Sequence, residues 1–264
     1  MRRKFTAGLL VGATTLTVAA VAWAVPASQT TLDVNFKPGS ATAGTKKKPR
    51  GNSLVITAKG GTTTGTGQPA TSTALNISLP KQWILNSERW PRKARCSVQR
   101  ANQQKSASVC PKSSRIGGGK TIVQGGASET SEGARRTLTV KAFVVKNGDI
   151  GLFVQNKAGE TPQVNEMIVG ATSRQRKISV KISENLQEPL DNVPTGIREL
   201  TFSLKGQARI NGKRRSIVET TGCGTRNQWQ FTLQDIYRDG RKSDSDTARS
   251  VSYTHLTLPT TPYV

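Results

Sequence analysis

The sequence predicts an all-β protein: an antiparallel β-sandwich, Ig-like or jelly-roll-like, built as a single domain over about residues 30–240. Three observations carry this. Apolar and polar residues alternate with period two along most of the chain. Asn-Gly pairs stand at turns between strand-like runs. No long stretch repeats with the 3.6-residue period of an amphipathic helix. At 34% hydrophobic residues in 264, the chain can build a core, though a lean one.

Leu32, Val34 and Phe36 alternate with Asp33 and Asn35 and predict the first strand. With the basic loop that follows, Ser40 to Asn52, this strand makes an N-terminal section, 25–52. The sandwich body, 53–240, opens with Leu54, Ile56 and Ala58. A Gly/Thr-rich loop, Gly60 to Thr73, leads to Leu75, Ile77 and Leu79, ended by Pro80. Runs at 136–146 and 150–155 flank Asn147-Gly148, a hairpin signal in which both turn residues need positive φ. Pro162 to Val169 is a short helix candidate. Further alternation follows at Ile178, Val180 and Ile182, then at Leu200, Phe202 and Leu204. Asn211-Gly212 marks another turn. Trp229, Phe231 and Leu233 form the last run, whose phase slips at Asp235 before Ile236 and Tyr237, predicting a bulge. Residues 241–250 read as a polar, solvated tail.

The two ends read differently from the body. Arg2, Arg3 and Lys4 precede an apolar stretch that ends at Ala22-Trp23-Ala24, the pattern of a signal peptide, 1–24, cleaved after Ala24. No other segment has the length and apolarity of a transmembrane helix. Val251-Ser-Tyr-Thr-His-Leu-Thr-Leu-Pro-Thr-Thr261 resembles a translated transposase sequencing adapter, in a frame whose stop follows Val264. On that reading, 251–264 are an artefact and the natural chain breaks off near Arg249. The single histidine, His255, falls within that segment.

Cys96 and Cys110 bracket a basic loop, and in an exported protein such a pair forms a disulfide. Cys223 is left over, with two readings: a partner beyond residue 250, or a buried thiol. Three groups of residues together resemble a group of exported actinobacterial β-sandwich proteins to which no activity is attached. They are Leu79-Pro80 with Trp83 and Asn86; the Cys96 to Cys110-Pro111 loop running into Ser114, Ile116-Gly117 and Gly119; and Cys223 with Trp229, Phe231 and Tyr237-Arg238-Asp239-Gly240. The resemblance implies a β fold, an extracellular or cell-envelope location, a last hairpin at Tyr237–Gly240 and a later cysteine as partner for Cys223. It carries over no catalytic residue.

Without a histidine in the native portion, a Ser-His-Asp triad, a Cys-His pair and a His-ligated zinc site are all excluded. Ser114 to Thr121 narrowly misses a phosphate-binding P-loop, lacking the first glycine and a following helix. Paired acids for glycoside chemistry would be Glu129 with Glu132 or Glu184 with Glu188, in polar stretches that read as solvated surface. No catalytic set, cofactor or metal site is expected.

Charge is the remaining feature. Lys and Arg number 39 against 16 Asp and Glu, a net charge of +23. The candidate anion-binding residues are Lys46, Lys47, Lys48 and Arg50; Arg89, Trp90, Arg92, Lys93, Arg95 and Arg100; and Lys213, Arg214 and Arg215. Arg174 to Lys177 is a further basic cluster. Cations beside Trp83 and Trp90 could hold anionic polymer by counterion release and stacking. The first expectation is a secreted, non-catalytic envelope or extracellular protein with a structural or interaction role. The second is a module for anionic polymer or carbohydrate, and the third a carboxylate-dependent hydrolase. Anionic envelope polymers, acidic polysaccharide or lipid headgroups are the expected partners, with no specific nucleic-acid recognition.

Overall fold

Period-two alternation becomes one large curled sheet. The computed structural model describes residues 30–64, 67–126, 135–161, 163–189 and 193–253. The signal segment, Glu129, Glu132, His255 and the rest of the tail past Tyr253 lie outside the described residues. The strands are β1 (Thr30–Pro38), β2 (Thr42–Ala43), β3 (Arg50–Asn52), β4 (Leu54–Thr62), β5 (Ser72–Ser78), β6 (Trp83–Leu85), β7 (Arg115–Gln124), β8 (Arg135–Val144) and β9 (Ile150–Gln155). They continue with β10 (Asn165–Ser173), β11 (Lys177–Lys181), β12 (Gly196–Leu204), β13 (Gln207–Ile210), β14 (Lys213–Ser216), β15 (Val218–Thr220), β16 (Gln228–Tyr237), β17 (Lys242–Ser250) and β18 (Ser252–Tyr253). Two short helices, α1 (Val98–Gln103) and α2 (Glu184–Gln187), sit in connections.

Eleven strands pair in the order β1-β4-β12-β7-β8-β9-β10-β11-β5-β16-β17. The edges β1 and β17 meet through side chains: Thr247 Oγ1 donates to the Val34 carbonyl at 2.8 Å and Arg249 Nε to the Phe36 carbonyl at 2.7 Å. The sheet therefore nearly closes into a barrel, with its two halves facing each other as the layers of a sandwich do. The all-β, single-domain expectation is met by one curled eleven-stranded sheet, with the small sheets β3-β15-β6, β13-β14 and β18-β2 beside it, rather than by two packed sheets.

Inward residues form one continuous core. The register places Phe36 opposite Ile56, Ile56 opposite Phe202, and Leu233 opposite Ile77, all buried. A second, smaller core lies on the outer face of β8, β9 and β10. There Phe143, Phe153 and Met167 pack against Ala101, Ala107, Cys96 and Cys110. The Cys96–Cys110 disulfide is formed, with its Cα atoms 4.8 Å apart, and it staples the α1 loop over this face. Cys223 is buried in the main core and makes no disulfide among the described residues.

Four expectations change. No helix forms over 163–169, because Asn165–Ser173 is strand β10; Pro162 lies outside the described residues. Val164, Met167 and Ile168 mimic helical spacing since β10 has apolar cover on both faces: Ile168 faces the barrel and Met167 the α1 loop. Residues 242–250 are no tail but strand β17, paired with β16 along its length. The Asn147-Gly148 turn has positive φ only at Gly148 (85°), with the Gly148 amide donating to the Val145 carbonyl and the Val145 amide to the Asp149 carbonyl. That is a type I turn closed by a glycine bulge. Asn211 (50°) and Gly212 (75°) form the expected two-residue turn with both φ positive. Finally, the bulge near Asp235 lies between Ile236 and Tyr237 in the pairing with β5, and Asp235 itself keeps the inward phase.

The glycines of the P-loop-like segment serve the sheet. A Cβ on Gly117 or Gly119 would stand 1.8 Å from the Ser203 or Thr201 carbonyl of β12, so only glycine permits this approach.

Candidate functional site

Two of the three predicted basic groups come together. Lys46, Lys47 and Lys48 occupy an exposed turn, closed by the Thr45 amide donating to the Lys48 carbonyl at 3.0 Å. The chain then enters β3 at Arg50, and β3 packs beside the β13–β14 hairpin that carries Lys213, Arg214 and Arg215. An open cleft between them is lined by Pro49, Gly51, Gln207, Arg214, Arg215 and Glu219. Glu219 is buried on its floor and holds Arg215 Nη1 at 3.1 Å. Arg215 is thereby partly neutralised, Arg214 lines the cleft and is exposed, and Lys46 to Lys48, Arg50 and Lys213 are exposed without lining it.

The third group divides into two structural residues, Trp90 and Arg95, and four exposed cations. Trp90 is 1% exposed and its Nε1 donates to the Ser113 carbonyl at 3.0 Å; Trp83 is 0% exposed. Neither can stack on a base or sugar, which corrects the expected stacking role: flat aromatic area is worth more in this core than on the surface. Arg95 donates to three carbonyls, those of Trp90, Lys146 and Glu88, at 3.1, 2.8 and 2.7 Å. It clamps the chain around Trp90 and has little donor capacity left. Arg89, Arg92, Lys93 and Arg100 are exposed. Arg174 and Gln175 lie in a tight turn, both at positive φ, while the Gln175 and Arg176 carbonyls accept from Leu85 and Leu79.

Sequence reasoning missed a second cationic cleft. Lys112, Arg115 and Lys205 surround a depression whose wall is Gly117, Gly118 and Gly206. Lys112 and Arg115 are neighbours in sequence, but Lys205 reaches them only through the β7–β12 pairing.

Of the predicted acid pairs, Glu129 with Glu132 lies outside the described residues, and Glu184 with Glu188 is found. Glu184 and Glu188 rim one open cleft together with Glu166. Glu166 accepts from the Ser183 hydroxyl at 2.8 Å, and Glu188 pairs with Arg238 at 2.9 Å. Among the described residues no group of three or more His, Cys, Asp or Glu could hold a metal ion.

No protein-family model matches the chain, and no curated protein matches it.

The barrel interior supplies the remaining site. A void of about 90 Å³ lies among Leu75, Val140, Leu152, Ile168, Leu200 and neighbouring aliphatic side chains. Leu75, Leu152, Ile168 and Leu200 line it and are only partly buried. At its wall stands Ser72, whose hydroxyl donates to Asp235 Oδ2 at 2.8 Å. Asp235 is 5% exposed and faces Leu75 across the β5–β16 ladder. Burial pushes its carboxyl up to about 7, against the Ser72 hydroxyl and the Ile236 amide, which favour the charged form. Oδ1 has no hydrogen-bond partner. Tyr237, two residues on, is pushed up to about 12 by burial and by the neighbouring Asp235 charge. The missed signal was the alternation itself: Trp229, Phe231, Leu233, Asp235 and Tyr237 form one inward row with an acid in it.

Proposed function

We propose that this is an exported, non-catalytic binding protein whose cationic surface holds anionic polymers of the cell envelope or its surroundings. The observation that supports this best is that β3, which the exposed Lys46–Arg50 segment enters, packs beside the β13–β14 hairpin carrying Lys213–Arg215, with Arg214 and Arg215 lining the cleft between them. Long-range attraction by the excess of Lys and Arg that remains once Arg2, Arg3 and Lys4 leave with the signal segment would steer polyanions to the surface. Clustered Lys and Arg then gain from displaced counterions. Fixed lysines suit a repeating phosphate or uronate chain, which needs charge density more than side-chain shape. The Cys96–Cys110 disulfide fits an oxidising compartment. The resemblance to exported actinobacterial β-sandwich proteins points the same way.

The test is the salt dependence of heparin binding by the purified protein. Affinity should fall steeply and linearly on a log–log plot as salt rises. Replacing Lys46, Lys47 and Lys48 together by Gln should reduce that slope by roughly three, if each contacts one charge. Binding that ignores salt, or a slope unmoved by the triple replacement and by Lys213→Gln with Arg214→Gln, would overturn the assignment.

A further inference from the structure

We propose that the depression bounded by Lys112, Arg115 and Lys205 is a binding site for a phosphate-monoester group. It shares no lining residue with the cleft between β3 and the β13–β14 hairpin, so it stands whether or not that surface holds polymer.

Three features meet here. The first is charge without compensation. Elsewhere Lys120 pairs with Glu199, Arg215 with Glu219 and Arg238 with Glu188. Among the described residues, the side chains of Lys112, Arg115 and Lys205 have no hydrogen-bond or ion-pair partner, and no acid lines the depression. A concave surface lined by one sign of charge concentrates the opposite ion. The second is fixed backbone. Ile116, between Arg115 and Gly117, is a bulge in the β7–β8 pairing. Its carbonyl accepts from the Lys205 amide at 2.8 Å and the Gly206 amide at 3.0 Å, which pins the end of β12 to the start of β7. The turn carrying Lys112 is held by the Ser114 amide and hydroxyl, which donate to the Pro111 carbonyl at 2.9 and 2.6 Å, and by Trp90 Nε1 on the Ser113 carbonyl. The three cations therefore stand on backbone that needs no ordering when a ligand binds. The third is the wall. Gly117, Gly118 and Gly206 put no side chain into the depression, and Ser203 turns its hydroxyl hydrogen to the Gly118 carbonyl at 2.8 Å. Donors for a ligand come from the three cations, unlike a P-loop, whose donors are backbone amides.

The donor set selects the ligand. Two ammonium groups and one guanidinium converge on one depression. A carboxylate or a phosphodiester brings a single negative charge and leaves the cations under-compensated. A phosphate monoester brings about −1.5 to −2 at pH 7 and three terminal oxygens. The planar fork of Arg115 suits two of those oxygens, and the lysines act as mobile point charges on the third and on the dianion as a whole.

The experiment is calorimetric titration of the purified protein, at low salt, with methyl phosphate, dimethyl phosphate and acetate. Methyl phosphate should bind about tenfold or more tightly than either monoanion. K112Q/R115Q/K205Q should remove that preference, whereas K46Q/K47Q/K48Q, which deletes the same number of charges elsewhere, should keep it. Should the first triple variant fail to fold, K205Q alone should weaken methyl phosphate binding several-fold. The proposal is overturned if methyl phosphate does not bind, if dimethyl phosphate or acetate equals it, if the two triple variants behave alike, or if K205Q leaves methyl phosphate binding unchanged. Heparin binding reports separately on the polymer surface: its absence, with selective methyl phosphate binding retained, would break that reading and uphold this one.

Discussion

The two ends of the same barrel are filled by different means. At the end where β1 finishes and β16 begins, large aromatic rings close the interior. Phe36 stacks on Phe231 at 5.0 Å, and Trp83 meets Trp229 and Phe231 edge-on at 5.2 and 5.1 Å. The Trp229 indole donates to the Gly222 carbonyl at 2.8 Å, so its polar atom is satisfied as well. At the end where β16 finishes, the wall is mostly Val, Ile and Leu, with Phe202, Ser72, Thr121 and Thr195 among them, and a void is left there. An eight-stranded barrel can be filled by ordinary side chains, and a wider one leaves room. In this eleven-stranded sheet the aromatic end is closed by ring volume and by the β3-β15-β6 sheet, whereas aliphatic side chains leave the other end incompletely filled.

The sharpest way to break this comparison is to truncate one side chain at each end. Phe231→Ala should cost about 3–5 kcal/mol, because the Phe36 and Trp83 rings packed against it cannot collapse into the gap. Leu152→Ala should cost about 2 kcal/mol, near the lower limit for such a change, because Leu152 already borders empty space. Equal losses in urea unfolding would contradict the division.

The second largest effect concerns the acid. A carboxyl raised to about 7 in the folded protein, against 3.8 as its ordinary value, binds more protons folded than unfolded between those pH values. Its contribution to stability is therefore fully present below pH 3.8 and is lost as pH rises through 7. Asp235→Asn should stabilise the protein by a few kcal/mol at pH 8, since each pH unit between the two values is worth roughly 1.4 kcal/mol, and leave it little changed at pH 4. Thermal unfolding at the two pH values checks this, and a loss of stability at pH 8 would contradict it.

The third effect lies outside the barrel. Replacing Cys96 and Cys110 by Ser should cost about 3 kcal/mol in the chain-entropy treatment, with the outer face of β8–β10 losing its cover. Hydrogen exchange should quicken in α1 and along β10, while the β16 amides beside the aromatic end stay protected. Faster exchange at β16 would mean that the two cores are coupled.

Much of this fold is legible in the sequence because the inward faces of its strands are apolar and alternate. Leu54, Ile56 and Ala58, like Ile178, Val180 and Ile182, can be placed from spacing alone. Three elements escape for identifiable reasons. Strand β17 turns Ser243, Ser245, Thr247 and Arg249 inward and is held by bonds to β1 carbonyls, so hydrophobic periodicity does not register it. Strand β10 is covered on both faces, which erases its alternation. Asp235 breaks the apolar pattern and reads as a slip in phase, although it is an acid kept inside. Of the candidate site, the sequence reveals the cations but not their neighbours. The Lys46–Arg50 and Lys213–Arg215 groups meet only through β3 and the β13–β14 hairpin, and Trp90 reads as a surface ring yet never reaches the surface.

The most direct test of the two-ended interior is a crystal of the protein pressurised with xenon, which enters apolar voids without needing a polar partner. The account predicts xenon density among Leu75, Leu152, Ile168 and Leu200 and none among Trp83, Trp229 and Phe231. Xenon among the aromatic rings, or none in the aliphatic half, would contradict it.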